Sequence, residues 1–263
     1  MRKRTFRPKQ SLGQNFLQDE NVVRKIAHHI NPGQQDTMVE IGPGFGILTK
    51  HLLPKVHRLI AIEIDQHLFK TLQQRYTDAN LELVHADFLK TDLSKYFFES
   101  CKIRVVGNIP YHITSPVIFK IFPVRAHVQD LILMIQREVA ERIIAAPGNK
   151  SFGILSVFSQ LYSKPEILFH VSRHVFFPKP DVDSSVVRWD FSKAPVLAID
   201  NETLLKTVVR TAFQQRRKML RKSLQQLPEI GKKILKVDFD LQKRPEQLQV
   251  AEFVTLANLI NKL

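Results

Sequence analysis

Cysteine is almost missing from this 263-residue chain, in which Cys101 stands alone. A single thiol excludes an internal disulfide, and with no partner cysteine nearby it excludes a cysteine-rich zinc site. A reducing, intracellular setting is therefore expected. Long apolar runs are missing too. The longest, Leu131 to Ile135, suits a buried strand and falls far short of a membrane span. Acids are scarce beside bases, 25 Asp and Glu against 39 Lys and Arg, which leaves a formal net charge of +14 and a pI near 9.9. A surplus of this size serves neither packing nor ordinary solubility; it points to a polyanionic partner, nucleic acid before an anionic membrane. The first acid is Asp19. Ahead of it Arg2, Lys3, Arg4, Arg7 and Lys9 form a basic arm without the apolar core of a secretory signal. The arm shares the charge bias of a transit peptide, but it runs unbroken into Gln14-Asn15-Phe16-Leu17, so a cytoplasmic protein is expected. No internal repeat or low-complexity segment is present, which excludes a solenoid and a disordered tail.

What is present is enough apolar material, 44% of residues, for one large domain and a smaller one. A helix over Glu20 to Ile30 is predicted from the apolar face made by Val22, Val23, Ile26, Ala27 and Ile30. Strands are predicted over Met38–Ile41, Leu59–Ile62, Leu81–Val84, Ile103–Val106 and Leu131–Ile135. Helical patterns separate them near Ile47–Leu53, His67–Tyr76, Val117–Phe122 and Val139–Ala145. This alternation implies an α/β fold with a doubly wound, mostly parallel sheet and ligands at the carboxyl ends of its strands. Two further runs, Ile167–Val171 and Ser185–Phe191, follow without a long helix between them and predict an antiparallel pair at the sheet's edge. Beyond Phe191 the pattern turns helical. The expected organisation is a sheet domain over residues 1–192 and a small all-α domain over residues 193–263.

Glu40-Ile41-Gly42-Pro43-Gly44-Phe45-Gly46 ends the first predicted strand of this region. Glycines at such a turn let backbone pass close to a ligand, though ordinary turns mimic the pattern. Glu63 ends the second strand and can take both hydroxyls of a ribose, or be a solvated strand-end acid. Asp87 follows the third strand; it can accept from an adenine amine while Phe88 or Ile64 packs on the ring, or it can cap the next turn. Together the three strand ends converge on one crevice and point to an adenosine-containing cofactor. The glycine spacing departs from the pyrophosphate-binding fingerprint and favours S-adenosyl-L-methionine over a dinucleotide.

Asn108-Ile109-Pro110-Tyr111 closes the fourth strand. An amide oxygen and a carbonyl beside a flat ring suit an exocyclic amine on a planar base. Adenine N6 is a poor nucleophile, and it needs acceptors for its N–H groups as charge develops. Pro110 fixes the backbone and Tyr111 can stack on the base. Alone, the same four residues also read as an Asn-x-Pro turn with a core tyrosine. In-line displacement at a sulfonium methyl needs neither a metal nor a nucleophilic side chain, so no base is assigned among the ten histidines.

Gln14 to Leu17, Glu40 to Gly46, Glu63, Asp87, Asn108 to Tyr111, Phe176 through Ser185, and Ala212 to Lys218 stand in an order that resembles the small-subunit ribosomal RNA adenine N6-dimethyltransferases. The resemblance spans nearly the whole chain. It implies a Rossmann-like class I methyltransferase sheet, S-adenosyl-L-methionine as cofactor, and dimethylation of two adjacent adenosines in the 3′-terminal hairpin of small-subunit ribosomal RNA. It further implies that Asn15 and Leu17 reach the cofactor from the arm, Gly42 and Gly44 line its methionine side, Glu63 holds the ribose, and Asp87 the adenine amine. Asn108 then lies between cofactor and substrate. Phe176 faces Tyr111 across the base, although the doubled aromatic leaves Phe177 as a candidate for that place. Phe45 and Ile47 depart from the residues often found there.

Arg210 to Lys222 carries Arg216, Arg217, Lys218, Arg221 and Lys222 and no acid. On a helix, Arg217 and Arg221 share one face, as do Lys218 and Lys222, and phosphate contact is expected of all five. Such contacts position without reading bases, so RNA shape is expected to select the target. The partners expected are ribosomal RNA and the immature small subunit, with no membrane, and a monomeric protein. Two rivals remain at this point: a ribosome-assembly factor acting mainly by binding, and a large-subunit ribosomal RNA adenine methyltransferase sharing the Asn-x-Pro-aromatic site.

Overall fold

A computed structural model describes residues 9, 12–97, 102–227, 230–232 and 234–263. Most of the basic arm, Arg2 to Arg7, and Cys101 lie outside the described residues. The first helix, α1 (Glu20–Ile30), has the predicted bounds. Asp19 caps it by accepting from the amides of Asn21 and Val22, and Asn31 ends it with φ 49°. Val23, Ile26, Ala27 and Ile30 are buried beneath it; full burial of each large aliphatic among them contributes about 1.5–3 kcal/mol.

The apolar runs become β2 (Thr37–Ile41), β3 (Arg58–Glu63), β4 (Leu81–His85), β5 (Ile103–Asn108) and β6 (Val128–Gln136), after the short β1 (Phe16–Leu17). Between them stand α2 (Thr49–Leu52), α3 (Gln66–Arg75) and α4 (Thr114–Ile121), with α5 (Arg137–Ile143) after β6. The later strands are β7 (Lys164–Val171), β8 (Phe176–Phe177) and β9 (Ser184–Asp190). Seven strands form one sheet in the order β4-β3-β2-β5-β6-β9-β7. The first five run parallel and β9 runs antiparallel to β6. From β2 the chain winds outward through β3 and β4, then returns to β5 on the other side of β2. This reversal opens a crevice outside the carboxyl ends of β2 and β5, where a doubly wound sheet takes its ligand.

The amino ends of the same strands are locked by a buried cation. Arg104, on β5, donates from Nε and one terminal nitrogen to both oxygens of Asp130, each at 2.8 Å. Its remaining donors meet Asp36 Oδ2 at 2.8 Å and the carbonyls of Ile30 and Asn31 at 2.7 and 3.2 Å. All five guanidinium donors are used, which lets a charge sit in an otherwise apolar strand.

A second, two-stranded ladder pairs β1 with β8, Phe16 with Phe177 and Leu17 with Phe176, and the amide of Gln18 donates to the carbonyl of Val175 at 2.9 Å. It fastens the N-terminal arm to a segment some 160 positions away.

The chain divides into two units, Met1–Ala140 with Glu166–Ser192, and Glu141–Pro165 with Lys193–Leu263. One border between these units falls after Ser192. Residues 141–165, expected in the sheet domain, cluster instead with the C-terminal helices. The physical reason is α6 (Ile154–Tyr162), seven of whose nine residues are buried; it packs on α7 (Glu202–Gln214) and α9 (Val250–Asn261), while α8 (Leu220–Leu224) packs on α7. Phe213 joins this core, 6.1 Å from the Phe152 ring and 5.8 Å from that of Phe253. From 193 to 263 the described residues hold helices and turns and no strand.

Candidate active site

After β2 the chain turns through Gly42, Gly44 and Gly46 with φ of 61°, 61° and 75°, a backbone that side chains rarely adopt. Two of these glycines serve different ends. A Cβ on Gly46 would stand 2.8 Å from Tyr76 Cε2, so Gly46 permits packing against α3; a Cβ on Gly42 would meet nothing within 4 Å, so Gly42 keeps space open. The space belongs to a cavity of about 320 Å³ bordered by the glycine turn, the strand ends of β2 to β5, and the arm from Leu12 to Leu17. That volume suits a small molecule.

Two buried glutamates stand at its floor. Glu63 Oε2 accepts from the Gly44 amide at 3.0 Å and Oε1 from the Asp65 amide at 2.8 Å. Burial raises its carboxyl above the usual range despite these amides. Glu40, beside it, accepts from the Thr49 hydroxyl at 2.7 Å, and burial pushes its carboxyl up to about 7, with the Glu63 charge adding to the rise. Asp65 was not anticipated from sequence as a site residue. It caps α3 through the His67 amide and anchors the arm, receiving Lys9 Nζ at 3.0 Å and Gln14 Nε2 at 3.3 Å. Phe16 packs its ring 4.9 Å from that of Phe45 over the same turn.

At the end of β5, Asn108 Nδ2 donates to the Asn15 carbonyl at 3.4 Å. Asn108 lines the cavity, and among the described residues nothing donates to its Oδ1. Pro110 and Tyr111 follow on the same wall, and the Tyr111 hydroxyl meets the Ser184 hydroxyl at 2.8 Å. Burial, only partly offset by that bond, raises the Tyr111 phenol and keeps it neutral. Phe176 also lines the cavity. It is 5% exposed whereas Phe177 is 54% exposed and turned away, as neighbours on a strand must be, so the structure brings Phe176 and not Phe177 to the cavity that Tyr111 lines.

On the β4 side, Asp87 Oδ1 accepts from the Leu89 amide at 2.9 Å, the turn cap read as its alternative role. Oδ2 receives no donor from the described residues, so capping and ligand contact are compatible. Phe88, buried, and Ile64, half-exposed, border the cavity beside it. Asn15, Leu17, Gly42, Gly44, Glu63, Ile64, Asp87, Phe88, Asn108, Pro110, Tyr111 and Phe176 thus surround a single cavity.

A family model described as ribosomal RNA adenine dimethylase matches residues 5–262. The chain belongs to this family. It is 37% identical to the ribosomal RNA small subunit methyltransferase A proteins of Geobacillus sp. (strain WCH70) and Bacillus mycoides (strain KBAB4), over 97% of this chain and 92% of each relative. Among solved structures it is similar to a dimethyladenosine transferase from Plasmodium falciparum, with TM-score 0.78 and 27% identity over 94% of this chain and 98% of that one. The 23S rRNA methyltransferase ErmE shares the fold, with TM-score 0.69 and 23% identity over 94% of this chain and 99% of that one. The sheet is accordingly that of a class I methyltransferase.

Of the basic residues expected to meet RNA, only Arg221 and Lys222 lie on a helix. Helix α7 ends at Gln214, Gln215 leaves it with φ −120° and ψ 50°, and Arg216 to Lys218 form a turn before α8. The i,i+4 faces read from sequence therefore do not exist. Arg216 is engaged within its own unit by Glu246, at 3.6 Å, and by the Asn149 carbonyl, at 3.2 Å. Arg217, Lys218, Arg221 and Lys222 are exposed. Among the described residues no helix is long and apolar enough to cross a membrane, and no cluster of ligands could hold a metal ion.

The buried proton on Glu40 has a measurable consequence. The unfolded chain releases it near 4.5 and the folded protein near 7. Between these values the folded state binds more protons, so stability falls as pH rises through that window, by up to about 3 kcal/mol. Glu40→Gln should abolish this slope. Urea unfolding at about pH 5 and about pH 8 should show the wild type losing stability relative to the variant; identical pH dependence in the two would refute it.

Proposed function

We propose that the chain transfers methyl groups from S-adenosyl-L-methionine to N6 of two adjacent adenosines in the 3′-terminal hairpin of small-subunit ribosomal RNA. The product is N6-dimethyladenosine, made on the immature small subunit during its biogenesis, in the cytoplasm, by a monomer. The observation that carries this reading is the common cavity: Asn108, whose amide oxygen receives no donor from the described residues, lines it together with Tyr111, Phe176, Gly42, Glu63 and Asp87.

The residues fit the cofactor. Open space at Gly42 admits its methionine side with Gly44, the Glu63 carboxylate can receive the ribose hydroxyls, and Asp87 Oδ2 can receive the adenine amine while Ile64 and Phe88 pack on the ring. Asn15 and Leu17 cover it from the arm. When bound, S-adenosyl-L-methionine supplies an electrophilic methyl group on its sulfonium. Asn108 Oδ1 and the backbone carbonyl of Ile109 accept from N6, holding its lone pair toward that methyl. Tyr111 and Phe176 stack on the two faces of the base and offset part of the unstacking cost, on the order of a few kcal/mol. The second methyl needs only one remaining acceptor. Arg217, Lys218, Arg221 and Lys222 contact phosphates; Arg216, tied to Glu246, contributes less.

Labelled methyl transfer to undermethylated small subunits, with nucleosides identified by mass spectrometry, tests this directly. Dimethyladenosine at two adjacent positions is expected. Label only in large-subunit RNA would replace the substrate, and subunit binding without any transfer would leave a ribosome-assembly factor.

A further inference from the structure

We propose that Ser184 is a positioning residue for the target base: its hydroxyl fixes the Tyr111 ring opposite Phe176 and so sets the width of the slot that receives adenine. This rests on the stacking role given above to Tyr111 and Phe176. The two hydroxyls are 2.8 Å apart, and Ser184, at the first position of β9, is fully buried. Among the described residues, Tyr111 makes no other side-chain hydrogen bond. It opens a single turn, Tyr111–Ile113, without a side-chain cap, and its ring borders open space. A bond at the ring's tip, opposite Cβ, restrains the swing about the first side-chain torsion, which carries the whole ring toward or away from the cavity; rotation about the second leaves the hydroxyl oxygen where it is.

Ser184 is a firm point to bind to. It pairs with Gln136 across β6 and β9. The residue before it, Asp183, accepts from the Arg137 amide through its carbonyl and from the Arg173 amide through Oδ1, each at 3.0 Å. The Arg173 guanidinium donates to the Asp181 carbonyl. These bonds close the base of the loop that carries Phe176, whose own backbone pairs with Leu17. One short segment thereby governs both faces of the slot, Phe176 through its loop and Tyr111 through Ser184. A hydroxyl buried for packing alone would not need to reach a substrate-facing ring.

Steady-state methylation of undermethylated small subunits by Ser184→Ala, Tyr111→Phe, the double variant and Ser184→Thr separates the two roles. Loss of one neutral hydrogen bond should raise KM for RNA roughly three- to tenfold in either single variant. KM for the cofactor should hold, and monomethyl product should build up. The double variant should be no worse than the singles, and Ser184→Thr should restore wild-type values. Losses that multiply in the double variant, or a Ser184→Ala protein that is less stable yet kinetically unchanged, overturn the proposal. Should Tyr111→Ala and Phe176→Ala keep wild-type kinetics, the stacking itself is wrong; should they lose activity while Ser184→Ala does not, only the role of Ser184 falls.

Discussion

Asn108→Ala is expected to lower the rate of methyl transfer by about 10²–10³-fold, the usual cost of removing one aimed polar group from a charge-developing centre. In the folded protein the Asn108 amide divides its work. Nδ2 donates to the Asn15 carbonyl at 3.4 Å, and Oδ1, which receives no donor from the described residues, is available to a substrate amine. Alanine removes both, but the first is a long bond to a partly exposed carbonyl and its loss should cost no more than about 1 kcal/mol of stability. Single-turnover transfer should therefore collapse while thermal unfolding and RNA binding stay near wild type. Asn108→Asp sharpens the assignment. It keeps an acceptor and loses the donor to the arm, so it should fall between wild type and alanine if acceptance from N6 is what matters. Activity within tenfold of wild type in Asn108→Ala would remove this residue from the chemistry. The same variant separates catalysis from assembly: if it restores normal small-subunit maturation in cells lacking the protein, methylation is not the essential contribution.

The parts of this site that could be read from sequence are those where one residue type in one place has a local physical reason. Asn108, Pro110 and Tyr111 end a strand, the glycines require positive φ, and Asp19 precedes an amphipathic stretch, so each announces itself within a few positions. Parallel strands could be located because both faces of the sheet are covered and the runs are nearly continuous. What escaped depends on distant pairing or on burial from every side. The β1–β8 ladder is two residues long in each strand, too short for any periodicity. Helix α6 does carry a 3.6-residue apolar stripe, Ile154, Val157, Phe158 and Leu161, but it is buried on its polar side too, at Ser156 and Ser159, and no stripe announces that. Arg216 to Lys218 continue a helical composition, yet the chain leaves the helix one residue earlier, because nothing in a run of cations marks a terminus. Asp65 looks like a plain helix cap; its hold on Lys9 and Gln14 arises only when the arm folds back.

Asp130→Ala should be the most destabilising of the single substitutions considered, by about 3 kcal/mol, because it takes from a buried guanidinium the fully buried one of its two carboxylate partners and leaves only Asp36. Arg104 loses two of its five bonds, those of 2.8 Å to Asp130, and Arg188, 3.0 Å from the same carboxylate, loses its partner too. For a chain of this length the melting temperature should drop by roughly 10 °C. The control is the pair Arg104→Met with Asp130→Leu. It removes the two buried charges together, so it should recover the part of the loss that comes from the Arg104 guanidinium, leaving the part due to Arg188 and Asp36, whereas either single change should not. Catalysis should respond differently. Arg104 lies four residues before Asn108 on β5, about 13 Å along the strand. The network joins the amino ends of β5 and β6 to the end of α1, while the cavity opens at the carboxyl ends. The folded fraction of Asp130→Ala should therefore methylate at a wild-type rate at low temperature. A matching loss of kcat there would mean that the sheet transmits strain from one end to the other; an unchanged melting temperature would mean that Arg104 finds water in place of Asp130. The contrast with Asn108→Ala, which should silence the enzyme and spare the fold, follows from where each side chain sits on one strand.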